Sequence, residues 1–541
     1  LADYLKVFQG IDKTIQREFD KLSAPGITIG ITNSRETLSV KTYGLVELNA
    51  PSPVTPRTLF QIGSISKAFT SIVLLLLSEE GVVDLHAPLV DYLPWFKIES
   101  DFPPITPYHL MSHTAGIITG NDSHTSPFLE VWNLRNTRAT AVPGETFHYS
   151  NTGYKALGLV LETLLRGELA AILRQRVLVP LGMNETEPVI TNGCRPLLAV
   201  GYQPYYDDRP LPRGGRLAPA TWFENDTADG SICSNAGDMC RYLRFLLKGG
   251  EGLLSRESFQ QLTAPVIATD DKLHGEHYGL GLFTCQLDGH HIIGHSGGMV
   301  GYTADLLADT DADLGVVVLT SGPADPESIS RFILKALRSA GEGDGSLPSF
   351  GQHPEEFPPE DYTGSYLCSD KELILVSDQG RLALDHGAGC IPLEYLDVDR
   401  YLAPDQDLDS FPLQFIRPGS SEGQEKAAVA ELLHGPDCYQ RSGYSTTSAP
   451  APPAEWEAYL GHYRAYNPWL SNFRILLQKG SLVLIIDHHS DAEPLHQTAP
   501  GKFRVGPEPS SPEFIQFDLV INGKAQQANL SGSLYGRTFT P

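Results

Sequence analysis

The stretch SISKAFTSIVLLLLSEEG, residues 64–81, decides how this chain is read. Its apolar run from Ile72 to Leu77 predicts a helix buried on most of its faces, with Gly81 as the terminator. Ser64 opens the stretch and Lys67 follows three positions later, so hydroxyl and amine share one helical face. A helix N-terminus offers free N–H groups and a positive dipole end, which favour an oxyanion forming at Ser64 and disfavour a charged Lys67. Packing against the leucines is expected to lower the lysine pKa towards that of a base working near neutrality. A Ser cap with a solvated Lys would use the same letters. Against that stands the uniqueness of Ser64-x-x-Lys67 in the chain, and the cost of turning a lysine into such a core without a role for it.

Working outward, GITIGITN and TLSVKTYG precede this helix as strands, behind an amphipathic opening helix, LADYLKVFQGIDKTIQREFD. A mainly helical and looped middle runs to about residue 275. Strands then return in YGLGLFTC, HHIIGH, GYTADLLAD and LGVVVLTS, closed by a helix near ESISRFILKALRSA. Strands at both ends of a helical insert predict one sheet built from both ends of residues 1–340. Two Gly/Ser/Pro-rich linkers follow, 341–360 and 445–455. They set off two tails, 361–444 and 456–541, which resemble each other. One opens Tyr362-Thr-Gly364-Ser-Tyr366 and the other Tyr459-Leu-Gly461-His-Tyr463, and each later carries a Gln-Phe pair, Gln414-Phe415 and Gln516-Phe517. Short alternating strands at this spacing predict a duplicated small antiparallel β-barrel.

Two further motifs carry chemistry. In AVPGETFHYSNTGY the phenol of Tyr149 is placed to relay a proton between Ser64 and a leaving group, and the amide of Asn151 to meet a substrate carbonyl. A polar surface turn would have the same composition. Gly294-His295-Ser296-Gly297-Gly298 follows the strand HHIIG. Its glycines would let backbone approach a ligand, with an N–H near Gly298 as a second oxyanion donor and His295 facing the substrate. A glycine turn with an exposed His295 is the competing reading, and His277-Tyr278-Gly279 shows that His-x-Gly alone is a weak signal.

Taken in this order, Ser64-x-x-Lys67, Tyr149-x-Asn151 and His295-x-Gly297 resemble the serine β-lactamase and penicillin-binding-protein superfamily. The likeness is to its class C β-lactamase-like branch, peptidase S12-like, with esterase and D-aminopeptidase relatives. LFQIGSISKAFTS, ITPYHLMSHTAGI, PGETFHYSN, DGSICSNAGDM and IIGHSGGMVGY match as well. The resemblance covers about residues 1–340. It implies an α+β fold, an α/β sandwich with a helical subdomain and the active site between them, followed by two lipocalin-like barrels. It also implies Ser64 as nucleophile, Lys67 and Tyr149 as the general base pair, and Asn151 as the substrate-amide contact, with His295, Gly297 and Gly298 on the opposite wall. The superfamily's antibiotic-binding members usually carry Lys at the position of His295. A neutral imidazole is a poorer partner for a carboxylate, so esters, peptides and amides are the expected substrates, D-configured residues among them, rather than β-lactams. An acyltransferase and a non-catalytic peptide- or peptidoglycan-binding protein are the rivals.

Other features bound the reading. The formal charge is −25, from 40 Lys and Arg against 65 Asp and Glu, and such a surface disfavours nucleic acid and anionic membranes as partners. The longest apolar run, Ile72 to Leu77, is far short of a span. The chain opens on Leu1, which leaves room for a processed N-terminus, and a secreted or periplasmic setting is the expectation. The oligomeric state is open. Seven cysteines lack metal spacing and are expected to be mostly small buried hydrophobes. No nucleotide motif implies a cofactor. His274-Gly-Glu-His277 and Asp487-His488-His489 lack a third convincing metal ligand, so no metal site is expected. Phe128, Trp132, Tyr202, Tyr205, Tyr206, Trp222 and Phe223 are candidate pocket walls, and Asp207 and Asp208 candidate partners for a free amino group.

Overall fold

The computed structural model describes residues 2–120, 126–269, 275–341, 346–350, 357–387, 389–417, 427–444, 451–486 and 492–538. The core of both linkers, His274 and the Asp487-His488-His489 run lie outside the described residues. The chain forms two compact units. The first comprises Leu1–Gln203, Leu217–Phe350 and Pro509–Pro512; the second comprises Pro204–Arg216, Gly351–Glu508 and Glu513–Pro541.

The first unit is organised by an antiparallel sheet of eight strands: β1 (Gly26–Thr32), β2 (Thr37–Gly44), β3 (Ile267–Ala268), β4 (His277–Tyr278), β5 (Phe283–Leu287), β6 (His290–Met299), β7 (Tyr302–Asp309) and β8 (Leu314–Ser321). The order across the sheet is β2-β1-β8-β7-β6-β5-β4-β3, so the two ends of the segment meet where Gly26 pairs with Ser321. Every residue of β8 is buried, because both faces of the sheet are covered. Val316 and Val318 pack with α1 (Ala2–Glu18) and the C-terminal helix of the unit (Pro326–Gly341). Val317 and Leu319, on the opposite face, join the larger core that holds α2 (Ser66–Glu79).

That helix is buried nearly all round, as its sequence predicts. Full burial of a Phe, Ile or Leu contributes roughly 2 kcal/mol, so this helix anchors the body of the unit. It stops as expected. Gly81, at φ +70°, donates its N–H to Ser78 O, and Val82 N–H reaches back to Leu77 O, the paired closure that a left-handed residue permits. The next long helix, α3 (Asn151–Leu165), packs against α2.

In the second unit the former tail is a nine-stranded antiparallel sheet and the latter an eight-stranded barrel. The latter closes completely from Gly461–Arg464 round to Ser533–Arg537. In the former, Cys390–Pro392 and Glu394–Asp397 form opposite ends of the ladder. Only Leu393 separates them, so one kinked strand serves both edges. The repeated Tyr-x-Gly-x-Tyr acts as a latch. Tyr366 Oη donates to Tyr362 O at 2.7 Å, and Tyr463 Oη to Tyr459 O at 2.8 Å. An arginine from the last strand then reaches the carbonyl preceding each motif: Arg441 to Asp361 O at 2.9 Å and Arg537 to Ala458 O at 3.1 Å. Apolar and aromatic side chains fill both interiors.

Asp207 and Asp208 belong to this second unit and do not await a ligand amine. Asp207 accepts from Arg464 and from Ser471 Oγ, and Asp208 from Arg209 Nε at 3.1 Å. Tyr205 and Tyr206 leave the first unit with them. Of the cysteines only Cys194, Cys233 and Cys240 are buried, fewer than expected; Cys390 is exposed.

Candidate active site

Ser64 sits just ahead of α2, in the tight turn Gly63–Ile65, rather than at the first residue of the helix itself. Lys67, with no solvent exposure, donates from Nζ to Ser64 Oγ at 2.9 Å and to the backbone carbonyl of Asp229 at 2.9 Å. The first contact is the one that the i,i+3 spacing predicts. The second comes from DGSICSNAGDM, and no letter of the sequence announces a carbonyl.

Tyr149 closes over the lysine, its ring centroid 4.8 Å from Nζ, and the Tyr154 ring lies at 5.6 Å. Its backbone is fixed on both sides. Thr119 Oγ1 donates to Tyr149 O at 2.9 Å, and Ser150 N–H donates to His113 Nδ1 at 3.0 Å. Ser150 also caps α3 through Gly153 N–H at 3.1 Å. Burial pushes the Tyr149 phenol well above its ordinary range, and its hydrogen bond to Ser64 offsets this only in part. The group therefore enters the site as a neutral phenol.

The Gly-His-Ser-Gly-Gly motif is not a turn. It lies inside β6, paired residue for residue with β7 from Gly294↔Leu307 to Gly298↔Thr303. Glycine is required because another backbone fills the side-chain space. A Cβ at Gly297 would stand 2.0 Å from Ile62 O and 3.4 Å from Ser64 N, and one at Gly63 would stand 2.6 Å from Gly298 N. The strand thus lies directly against the turn that carries Ser64, with the two candidate oxyanion donors on adjoining backbone.

His295 does not face open solvent. It is 3% exposed, with Nε2 3.1 Å from Tyr278 Oη and Nδ1 2.5 Å from Ser296 O. Burial, helped by the Lys67 charge, lowers its pKa to about 3, so the imidazole is neutral. His113 is likewise held well below the usual histidine range by burial and by Lys67. Neither His113 nor Tyr278 was assigned a role from sequence. Yet Tyr278 belongs to the second His-x-Gly, and His113 to the quoted phrase ITPYHLMSHTAGI. Asn151 Oδ1 and Asp229 Oδ1 are buried without a hydrogen-bond partner, an arrangement that leaves acceptors for an incoming ligand.

Of the aromatic candidates, Trp222 and Phe223 line a pocket of the first unit together with Gln61 and Val300. Tyr202 is buried and holds Leu48 N–H at 2.8 Å. Phe128 and Trp132 stack with Trp95, which is packing rather than a pocket wall. Among the described residues one group has metal-like spacing, His290, Asp309 and Asp311. Asp309 is engaged by Arg338 Nε at 2.6 Å and accepts from Ala312 N–H at 2.8 Å, so the cluster is accounted for as a turn lock.

A model of the family described as Beta-lactamase matches residues 11–339. The chain belongs to the beta-lactamase family. Protein flp of Staphylococcus aureus (strain N315) is 27% identical over 326 residues, covering 58% of this chain and 63% of the relative, so the match spans less than two thirds of that protein. Penicillin-binding protein 4* of Bacillus subtilis (strain 168) is 25% identical over 385 residues, covering 65% of this chain and 81% of the relative. The solved structure of the octameric penicillin-binding protein homologue from Pyrococcus abyssi superposes with a TM-score of 0.59 at 25% identity, over 80% of this chain and 99% of that one. A D-stereospecific amidohydrolase from Streptomyces sp. shares the fold at a TM-score of 0.50 and 21% identity, over 60% of this chain and 97% of that one. The beta-lactamase family fold is the one expected from the three motifs, and the β-sheet modules that follow it are expected from the duplicated tails.

Proposed function

We propose that this protein is a serine hydrolase, acylated on Ser64, that cleaves amide or ester bonds of small peptides, amino-acid amides or esters. The observation that carries this is the 2.9 Å contact between Lys67 Nζ and Ser64 Oγ, in a turn pressed against Gly297 and Gly298. Lys67, reacting as the neutral amine, takes the hydroxyl proton as Oγ attacks the carbonyl carbon. The oxyanion is met by the N–H groups of Ser64 and Gly298. Tyr149, a neutral phenol, gives its proton to the departing nitrogen or oxygen and regains one from Lys67. Water then enters along the reverse route and releases the acyl group. Asn151 holds the substrate amide. His295, neutral and enclosed, offers no charge for a carboxylate on the leaving side, so β-lactams are poor substrates.

The test is a panel of p-nitrophenyl esters, D- and L-amino-acid p-nitroanilides and nitrocefin, run with wild type and Ser64→Ala. Turnover and fluorophosphonate labelling that both vanish in Ser64→Ala support the proposal; turnover that survives the substitution overturns it. Ester or anilide cleavage far above nitrocefin turnover is expected. Adding an alcohol or amine acceptor separates hydrolysis from acyl transfer by the product formed.

A further inference from the structure

A pocket of the first unit, lined in part by residues close in the chain to Ser64 and Gly298, carries a positive charge. It is a cavity of about 90 Å³ within the first unit, room for several water-sized groups and hence for a short aliphatic chain. Gln61, in its lining, stands three residues before Ser64, and Val300 stands two after Gly298, so two lining residues flank the oxyanion backbone in sequence. Leu198, Trp222 and Phe223 make its wall apolar.

Arg195 lies at the same pocket. Its guanidinium carbon is 4.9 Å from the centroid of the Trp222 ring. The indole is itself fixed, donating from Nε1 to Asn192 Oδ1 at 2.8 Å. Among the described residues no carboxylate forms an ion pair with Arg195, although the chain carries 65 acidic residues. An arginine pre-organised on an aromatic face keeps its donor fork available for a planar anion. Lys67 is already engaged with Ser64 and Asp229.

We infer that Arg195 and Trp222 form a subsite for a carboxylate at the far end of a short apolar acyl group, making ω-carboxyacyl esters and amides the preferred substrate class. The inference rests on acylation at Ser64. It places the recognised charge on the acyl side, whereas a Lys in place of His295 would hold one on the leaving side.

The experiment compares kcat/KM for the p-nitrophenyl monoester of glutaric acid with that for p-nitrophenyl pentanoate, in wild type, Arg195→Gln and Arg195→Lys. Wild type is expected to favour the carboxylated ester about fivefold at low salt, mainly through KM. Arg195→Gln should abolish the preference and Arg195→Lys restore part of it, and 0.5 M salt should weaken it, since screening shortens to roughly 4 Å. A neutral-ester preference in wild type, or an unchanged ratio in Arg195→Gln, overturns the subsite. A second measurement does not depend on turnover: glutaric acid monoanilide is titrated calorimetrically into Ser64→Ala and into Ser64→Ala combined with Arg195→Gln. Equal affinities refute the subsite whatever the esterase panel shows. Unequal affinities with no Ser64 labelling in wild type keep the subsite and refute the acyl-enzyme.

Discussion

The imidazole of His113 lies against the phenol ring of Tyr149, centroid to centroid 4.1 Å and tilted by 37°, while its Nδ1 accepts the N–H of Ser150 next door. One buried side chain thereby fixes both the ring and the backbone of the proposed proton donor. Its other nitrogen, Nε2, is buried without a hydrogen-bond partner. With Nδ1 accepting, the neutral ring carries its proton on Nε2.

His113→Phe keeps the ring contact and removes the acceptor. Stranding a buried N–H costs about 1–3 kcal/mol. The expected outcome is a modest fall in denaturation midpoint together with a roughly tenfold slower Ser64 acylation, read by stopped-flow with p-nitrophenyl acetate. Unchanged acylation with lowered stability would make His113 a packing residue only.

Tyr149→Phe separates leaving groups. p-Nitrophenolate departs without a proton, whereas an anilide nitrogen needs one. The loss in kcat should approach ~10²–10³ for anilides and stay much smaller for p-nitrophenyl esters. Equal losses would mean that Tyr149 acts on the attack rather than on departure.

Gly297→Ala places a methyl group 2.0 Å from Ile62 O. Two rigid backbones cannot yield cheaply. Activity should vanish, and unfolding by urea should show a loss of about 2 kcal/mol or more. A folded, active Gly297→Ala enzyme would show that the strand tolerates displacement from the turn.

Asp305, 3% exposed, has its pKa raised to about 7 by burial, with Glu327 adding repulsion, Arg331 and a hydrogen bond from Ser330 opposing, and Asp325 repelling more weakly. A pKa raised above the unfolded value near 3.9 contributes stability that is complete below pH 4 and is lost as pH climbs towards 7. Asp305→Asn removes that dependence. Relative to wild type, the variant should gain stability steadily between pH 5 and pH 7 in urea titrations, then level off. A constant difference across that window would place the ionisation elsewhere.

His295 and His113 are both neutral through the working range, since burial holds one at about 3 and the other well below its usual value. Neither ring should supply an ionisation near 6.5 to the pH profile of kcat/KM. Histidine ring resonances assigned by loss in His295→Gln and His113→Phe should not titrate between pH 5 and 8.

What the sequence made legible follows from geometry that spacing encodes. Three residues along a helix bring Lys67 to Ser64, and short apolar runs mark the strands that meet at Gly26 and Ser321. The misses have equally physical causes. Asp229 acts through a carbonyl that every residue type possesses. His113 and Tyr278 reach the site from separate loops and strands, so no local pattern ties them to Tyr149. The glycines of β6 read as lying past the end of the strand HHIIG because glycine weakens strands; here they continue the strand, and a second backbone occupies the room that side chains would need. Asp207 and Asp208 looked like free acids because Arg464 lies more than 250 positions away.

The Pro204–Arg216 segment of the second unit has a practical consequence for anyone dissecting this protein. Linear domain boundaries suggest that cutting after residue 350 would liberate a self-sufficient enzyme. Such a fragment would keep Asp207 and Asp208 but lose Arg464, Ser471, Asn472 and Arg474, whose side chains hold them. The severed loop would be left with Asp207 uncompensated and Asp208 paired with Arg209 alone, a short way along the chain from the wall that carries Trp222. Any comparison of truncated with intact protein therefore changes the wiring of that loop as well as the number of domains.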